Sequence, residues 1–339
     1  MRRFCLLVSL ILLIPSGAAA EEAPSGDPRA AQALAKVILE RDFGDYAFDK
    51  CEIVSTRTND RVPGLSGLMF AYYKRAAGSR IMLSVQYFES RERLQAFRES
   101  DQVQMPGLAE RAWGDTVLWS LEDKVYSWTD GHHVLITVGG ESVPREMVEA
   151  YLAVVPSRVA GFGKEPAEDA PAASRDDPSA RRAADLRGAQ AVAAGVHERD
   201  FGPIVFEHCR LSSEPGDPAR QKNPTGRADV EYYDPAGGKT AGEVPGWAHR
   251  IRVTLQWFAE QDDLRAAYAR LRTEHPALKR HEVDGTVLLR GARRGEDVWV
   301  WTDGKGLMVR MVAVHVRSIP AERIQAHLAG IPSRVAEFE

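Results

Sequence analysis

Two segments of the chain alternate apolar and polar residues, IMLSVQYF (81–88) and IRVTLQWF (251–258). Successive side chains point to opposite faces of a strand, so each segment predicts a strand with one well-buried and one more polar face. The predicted buried face comprises Ile81, Leu83, Val85 and Tyr87 in the first segment and Ile251, Val253, Leu255 and Trp257 in the second. We therefore expect a sheet in each half of the chain.

Apolar residues spaced three and four positions apart predict amphipathic helices at the start and end of each half. The opening stripes are Ala31, Leu34, Ala35 and Ile38, and Ala189, Val192, Ala193 and Val196. The closing stripes are Val148, Leu152 and Val155, and Ile324, Leu328 and Ile331. The two halves thus repeat the same helical pattern as well as the same strand pattern.

A hairpin is predicted in each half, where Asp-Gly separates two runs rich in strand-forming residues, VYSWTDGHHVLITV (125–138) and VWVWTDGKGLMVRM (298–311). A two-residue turn would place aromatic residues of both hairpins on one face. That face would carry Tyr126, Trp128 and His133 in the first half and Trp299 and Trp301 in the second. We interpret it as a platform for a ligand or a partner protein. The alternative is that the closing helix or the other half covers it, because aromatic side chains most often serve burial.

Collinear matches indicate a tandem duplication. DPRAAQALAKVILERDFG (27–44) matches DLRGAQAVAAGVHERDFG (185–202), and SVPREMVEAYLAVVPSRVAGF (142–162) matches SIPAERIQAHLAGIPSRVAEF (318–338). Each copy predicts an α+β module, an antiparallel sheet with packed helices in the order α-β-β-β-α-β-β-β-α. This element order resembles that of several small exported modules, including the PsbP/Mog1-like group. The resemblance brings no functional residues with it.

The predicted organisation starts with a signal peptide over residues 1–20. Two arginines, a short apolar run and the small residues before Glu21 are typical of an export signal cleaved near Ala20, which predicts a periplasmic or extracellular protein. Module one covers 21–162, a linker rich in Pro, Ala and charge covers 163–184, and module two covers 185–339. Module two carries an insertion near 217–247.

The tripeptide Asp-Phe-Gly at residues 42–44 and 200–202 has the letters of the magnesium-binding motif of protein kinases. A kinase also needs a glycine-rich loop, a strand lysine and an H-R-D-type loop, and the sequence assembles none of them. We interpret both copies as a helix C-terminus closed by glycine, with Phe43 and Phe201 as core anchors and Asp42 and Asp200 as structural residues.

The net charge of −4, with both signs mixed along the chain, argues against a nucleic-acid partner. No apolar stretch after the leader has the length of a membrane span. The sequence predicts no cofactor, no metal site and no catalytic residues, since His132 and His133 would point to opposite faces of a strand and no further ligand stands at metal-binding spacing.

Two cysteines remain after the predicted cleavage, Cys51 and Cys209, and they occupy matching positions in the two copies. They could form a disulfide in an oxidising compartment if both lie near a pseudo-two-fold axis. The alternative is two separate buried thiols.

These observations predict an exported, non-catalytic binding or interaction protein whose partner is an unknown protein or small molecule. The alternative is an extracytoplasmic enzyme with its site in one module or between the modules. A concave pocket that gathers at least two of His132, His133, Glu122 and Asp123 would support the enzyme.

Overall fold

The computed structural model describes residues 30–57, 62–104, 107–122, 124–160, 162, 188–214, 224–233, 250–293, 296–314 and 319–338. The predicted signal peptide (1–20) and linker (163–184) lie outside these residues. So do the parts of the predicted insertion (217–247) on either side of 224–233.

The first half, up to residue 162, contains three helices and seven strands among its described residues. In chain order they are α1 (Ala30–Val37), β1 (Ala47–Thr56), β2 (Leu65–Lys74), β3 (Arg80–Phe88), α2 (Arg91–Gln104), β4 (Ala109–Trp113), β5 (Thr116–Leu121), β6 (Val125–Thr129), β7 (Val134–Gly140) and α3 (Arg145–Val154).

The described residues of the second half repeat this order and add a short terminal helix. They form α4 (Gly188–Ala193), β8 (Val205–Ser213), β9 (Gly226–Tyr233), β10 (Arg250–Trp257), α5 (Gln261–Glu274), β11 (Lys279–Val283), β12 (Thr286–Arg293), β13 (Glu296–Thr302), β14 (Leu307–Val314), α6 (Ala321–Gly330) and α7 (Val335–Phe338). The segment between β9 and β10 is longer than its counterpart between β2 and β3, so most of the extra residues of the second half lie there.

All fourteen described strands belong to one antiparallel sheet, in the order β11-β12-β13-β14-β10-β9-β8-β1-β2-β3-β7-β6-β5-β4. The sequence predicts an antiparallel sheet with packed helices, and this is confirmed. The predicted number of strands is wrong by one in each half, because β4 and β11 were not expected. Both are short edge strands whose residues are almost all exposed, so they lack the apolar alternation that reveals the inner strands.

The two halves meet where β1 pairs with β8 in the middle of the sheet. Ile53 lies opposite Leu211, and the pairs Cys51–Ser213 and Ser55–Cys209 flank this central pair at equal distance. On one side of the sheet, α1 packs on β1–β3, α4 packs on β8–β10, and the two helices contact each other. The strand order and the register are therefore symmetric about the junction.

Two buried glutamates make reciprocal contacts across this junction. Both Glu198 carboxylate oxygens accept hydrogen bonds from the Ala31 backbone N–H of α1, at 3.0 and 3.2 Å. Glu40 accepts a 3.0 Å bond from the Ala189 N–H of α4 and a further bond from the Ser213 hydroxyl. The first N–H groups of a helix lack partners within the helix, and the helix dipole favours negative charge there. Each half thus caps the first helix of the other.

The Asp-Phe-Gly segments form tight turns. The Asp42 carboxylate accepts a 2.9 Å bond from the Phe48 N–H, and the Asp200 carboxylate does the same for Phe206. Phe43 and Tyr46 exchange backbone hydrogen bonds around Gly44, whose φ of 55° favours glycine. The predicted helix C-terminus is wrong at this point, because α1 ends at Val37. The aspartates hold these turns closed through backbone contacts.

The two hairpins have longer loops than the sequence predicted. In the first, Thr129 lies opposite Leu135, and the Asp130 carboxylate accepts hydrogen bonds from the N–H groups of residues 132, 133 and 134 at 2.8–2.9 Å. Asp303 makes the same three contacts in the second hairpin. The expected two-residue turn and its register are therefore wrong. In each hairpin the aspartate carboxylate accepts hydrogen bonds from three backbone N–H groups of the loop, which requires a longer loop.

Cys51 and Cys209 are fully buried free thiols. Their strand partners lie four positions apart along β1, from Cys51 to Ser55, which corresponds to roughly 13 Å at the rise of a strand. A disulfide needs Cα atoms within about 7 Å, so the hypothesis of a bridge is wrong and the alternative of two separate thiols is what the structure contains.

Both thiols are expected to be unreactive in the native protein, because burial raises the pKa of Cys51 and of Cys209. Ellman's reagent should detect both in guanidinium chloride without reductant and neither under native conditions. The absence of thiols in the unfolded, unreduced protein would contradict this assignment.

Candidate functional site

The aromatic platform predicted from the hairpins is covered. Tyr126, Trp128, Trp299 and Trp301 are each at most 6% exposed. The indole N–H of Trp128 donates a 2.8 Å bond to the carbonyl of Val155, directly after α3, and Trp301 donates a 2.9 Å bond to the carbonyl of Ile331, directly after α6. The alternative stated for these residues is therefore correct, and the platform interpretation is wrong. The closing helix of each half covers its own tryptophan.

The histidines of the first hairpin do not form a pocket. His133 Nδ1 lies 2.9 Å from the Phe88 carbonyl oxygen, and its ring stacks on Tyr87. His132 is exposed, and the Glu122 side chain is exposed and lies 3.4 Å from Lys124. Asp123 lies outside the described residues. Two cavities of the described chain lie in the second half, and neither is lined by His132, His133 or Glu122, so they do not support the enzyme alternative.

The larger of these cavities is a groove of about 550 Å³ at the outer end of the sheet. It is formed by β11, β12 and β13, whose pairing places Lys279 opposite Arg290 and Arg290 opposite Trp299. Its lining residues are Ala277, Lys279, Arg280, His281, Arg290, Gly291, Ala292, Glu296 and Asp297. We call this the edge groove.

A buried carboxylate organises the edge groove. Asp297 accepts hydrogen bonds from Arg290 Nε at 2.9 Å, from the Trp299 indole N–H at 2.9 Å and from the Ile319 N–H at 3.4 Å. The Arg290 guanidinium also lies 4.7 Å from the Trp299 ring centroid, and the His281 ring meets that ring edge-on. Trp299 was predicted as part of an exposed platform. It is instead buried and packs against Arg290 and His281 of the groove.

The electrostatics of the edge groove favour an anionic ligand. Asp297 pairs with Arg290, and the other charged residues that line the groove are Lys279, Arg280 and Glu296, all beside the exposed His281. The β4–β5 pair of the first half has the same register as the β11–β12 pair. Its Ala109, Glu110 and Arg111 correspond to Lys279, Arg280 and His281, and its Ser120 corresponds to Arg290. The basic groove is therefore particular to the second half.

A smaller cavity of about 150 Å³ shares Ala277, Gly291 and Ala292 with the edge groove. The remaining lining residues are Glu274, His275, Pro276, Leu278, Val298 and Arg310. Gly291 is required there because a Cβ atom would lie 2.9 Å from the Ala277 carbonyl oxygen. The backbone before β11 thus packs closely on β12, and an apolar cavity adjoins the basic groove.

Glu207, His208 and Glu231 have ligand atoms within 4.8 Å of one another on the β8–β9 pair. Arg250 pairs with Glu231 at 3.0 Å and with Glu207 at 3.3 Å, and Arg252 pairs with Glu231 at 2.7 Å. The two arginines therefore already neutralise the two carboxylates that a metal ion would need as ligands, and we assign no metal site here.

The residues of the edge groove were not identified as functional from the sequence. The run Lys-Arg-His at 279–281 was the available signal, because the matching positions in the first half are not a basic run. Its proximity to Arg290 and Asp297 depends on strand pairing, which periodicity alone does not reveal.

In the described part of the chain, no helix has both the length and the apolar character needed to cross a bilayer. No known protein family matches the sequence, and no curated protein is similar to it. Among solved structures, the immunity protein TplEi of the T6SS from Pseudomonas aeruginosa, complexed with an "L" peptide, is similar at 12% sequence identity and a TM-score of 0.25. The match covers 86% of this chain and 97% of that chain. A TM-score of this size identifies neither a fold nor a function for this chain.

Proposed function

We propose that the protein is an exported, non-catalytic binding protein built from two copies of one α+β module, and that its edge groove binds an acidic segment of a partner protein. The observation that carries this proposal is the concentration of Lys279, Arg280 and His281 around the larger described cavity. Opposite charge at a concave site raises both the rate and the specificity of association.

The shape of the site favours an extended segment. β11 is the outermost strand and its residues are almost all exposed, so its free edge can accept a further strand. Such a segment would place carboxylates near Lys279 and Arg280. The adjoining cavity lined by Pro276, Leu278 and Val298 has room for one apolar side chain.

The state of Asp297 supports binding without catalysis. A general base needs a carboxylate oxygen available to a substrate proton. Asp297 is buried and accepts hydrogen bonds from Arg290, Trp299 and Ile319, so it serves as a structural acceptor that positions Arg290.

The duplication is part of this proposal. It is supported by the matching element order of the two halves, by the symmetric strand order of the sheet and by matched contacts such as Trp128 with Trp301. Binding would then be a property acquired by one copy, since the basic residues of the groove have no equivalent set in the other.

Reversing the charge of the groove is expected to abolish selectivity for acidic segments. Immobilised peptides that differ only in carrying Glu or Lys around one central aromatic residue provide the probe. The wild-type protein should prefer the acidic series, with an affinity that falls as salt rises. The double variant Lys279→Glu, Arg280→Glu should bind that series at least about tenfold more weakly, since one lost charge pair is worth roughly 1 kcal/mol or more in a partly buried site.

The matched control is Arg111→Glu, which reverses the charge at the position of the first half that corresponds to His281. It should bind the acidic peptides like the wild type. Equal binding of acidic and basic peptides by the wild-type protein would contradict the proposal, as would unchanged binding by the double variant.

A further inference from the structure

The second half contains a group of basic side chains in and beside its core where the first half contains uncharged ones. Its members are Arg323 and His327 on α6 and His197 after α4. The matching residues of the first half are Met147, Tyr151 and Leu39. Because the same backbone positions are filled by an uncharged set in the first half, packing alone does not require basic residues there.

The first half satisfies its polar atoms at this place. The hydroxyl groups of Tyr73 and Tyr151 lie 2.6 Å apart, and Tyr73 also donates a 2.8 Å bond to the Leu39 carbonyl. The Leu39 N–H donates to the Tyr151 hydroxyl at 3.2 Å. Every hydroxyl in the set thus has a partner, which is the normal state of buried polar groups.

The second half keeps only part of this arrangement. The Tyr232 hydroxyl donates to the His197 carbonyl, as Tyr73 does to Leu39. Arg323 and His327 are both 0% exposed, and none of their side-chain nitrogens has a hydrogen-bond partner among the described residues. Within the same part of the chain, Arg323 forms no ion pair. A buried guanidinium is strongly destabilising unless something compensates its charge.

The aromatic rings around Arg323 compensate this charge only in part. The guanidinium carbon lies 3.3 Å from the centroid of the Tyr232 ring and 4.9 Å from that of Phe201. These contacts attract the cation through the ring faces but accept none of its in-plane N–H groups. Burial accordingly lowers the pKa of Arg323 to about 10. Arg323 also lies in the first turn of α6, where the helix dipole favours an anion over a cation.

Arg323 and His327 are four residues apart on α6, so their side chains lie on the same face of the helix. The His327 ring contacts the His197 ring edge-on, with centroids 4.4 Å apart. Burial and the neighbouring His197 and Arg323 lower the pKa of His327, so this imidazole is neutral at neutral pH and retains one N–H to donate. The guanidinium and the imidazole therefore lie close together in the core. The acceptors beside them are the Tyr232 side chain for Arg323 and the Gly195 backbone for His327, and neither makes a hydrogen bond of normal geometry.

We propose that Arg323 and His327 form a buried binding site for a small inorganic anion of the size of chloride. The anion would accept hydrogen bonds from the guanidinium and from the imidazole N–H and would neutralise the arginine. The complete burial of both side chains favours a monatomic anion over sulfate or a carboxylate-bearing ligand. The site is separate from the edge groove and does not depend on the function proposed for it.

The proposal predicts stabilisation by halide at constant ionic strength. When chloride or bromide replaces gluconate, the wild-type unfolding midpoint should rise. Once halide exceeds its dissociation constant, each tenfold increase should lower the unfolded-to-folded ratio about tenfold, the limit for one site that is lost on unfolding. Sulfate at the same ionic strength should not reproduce this slope. In crystals soaked in bromide, an anomalous peak should lie within hydrogen-bond distance of Arg323.

The variant Arg323→Met, His327→Tyr installs the residues of the first half and is designed to fold without the anion. It should lose the halide dependence and match or exceed the stability of the wild type in gluconate. Arg334→Met is the control, because Arg334 is an exposed arginine paired with Glu337, and it should retain the wild-type halide slope. The same slope in the double variant and the wild type would overturn the proposal, and so would bromide density absent from Arg323.

Discussion

Replacing Trp128 with alanine is expected to destabilise the protein by about 3–5 kcal/mol, and replacing Trp301 by a similar amount. Both indoles are 0% exposed and rank among the largest fully buried side chains. Each variant creates a cavity between the sheet and the closing helix of its half. It also deprives the carbonyl of Val155 or Ile331 of its hydrogen-bond donor.

Urea denaturation followed by far-UV circular dichroism would measure these losses. Trp128→Phe separates the two contributions, because it keeps most of the volume and removes the N–H, and it should cost less than the alanine variant. Val54→Ala is the surface control, since Val54 is 42% exposed, and it should change the free energy of unfolding by less than about 0.5 kcal/mol. A stability of Trp128→Ala equal to the wild type would show that the indole is not packed as described.

The reciprocal glutamates are expected to be the main polar determinants of the contact between the halves. Glu198→Ala leaves the Ala31 N–H at the start of α1 without its acceptor, and Glu40→Ala does the same to Ala189 at the start of α4. An unsatisfied buried donor costs about 1–3 kcal/mol, so each variant should lose stability within that range. The loss should affect both halves together, because each glutamate belongs to one half and caps a helix of the other.

Glu198→Gln tests how much of this effect comes from the negative charge. Its amide oxygen can still accept from Ala31 but does not interact with the helix dipole as a full charge, so its loss should be smaller than that of Glu198→Ala. Glu149→Ala removes an exposed glutamate of α3 and should be close to neutral. Hydrogen exchange at Ala31 and Ala189 would locate the effect, and unchanged protection in the alanine variants would refute the capping role.

Much of the architecture follows from patterns that are local in the sequence. The buried strand faces that begin at Ile81 and Ile251 were predicted correctly except at their last positions, Tyr87 and Trp257, which are half-buried. The apolar stripes of α1 and α4 are buried, but their last residues, Ile38 and Val196, lie beyond the helix ends. Such faces can be predicted because burial on one side of a helix or strand makes apolar residues recur at its period. The antiparallel sheet followed from the hairpins. β4 and β11 were missed because an exposed edge strand buries little apolar surface, so its residues show no alternation of apolar and polar positions.

The edge groove and the buried basic group could not be predicted in the same way. The groove joins Lys279 to Arg290 and Asp297 through strand pairing, and Arg323 meets Tyr232 and Phe201 through the packing of α6 on the sheet. The Asp130 carboxylate accepts three backbone N–H groups of its loop, and the hairpin has a register that the Asp-Gly pair alone does not predict. Contacts between distant segments, rather than the periodicity of any one segment, define both sites.

The symmetric junction between β1 and β8 has a consequence for how the sheet can grow. Its register, centred on Ile53 and Leu211, has the form of an isologous contact, in which two equivalent edges satisfy each other and the interaction closes. The edges left at the two ends, β4 and β11, are also equivalent to each other and carry Glu110, Arg111, Lys279 and Arg280. Exposed charged residues on an edge strand oppose pairing with another sheet. The β1 and β8 edges of the two halves are thus joined inside one chain, and at β11 the like charges of Lys279 and Arg280 disfavour pairing with the same strand of a second copy.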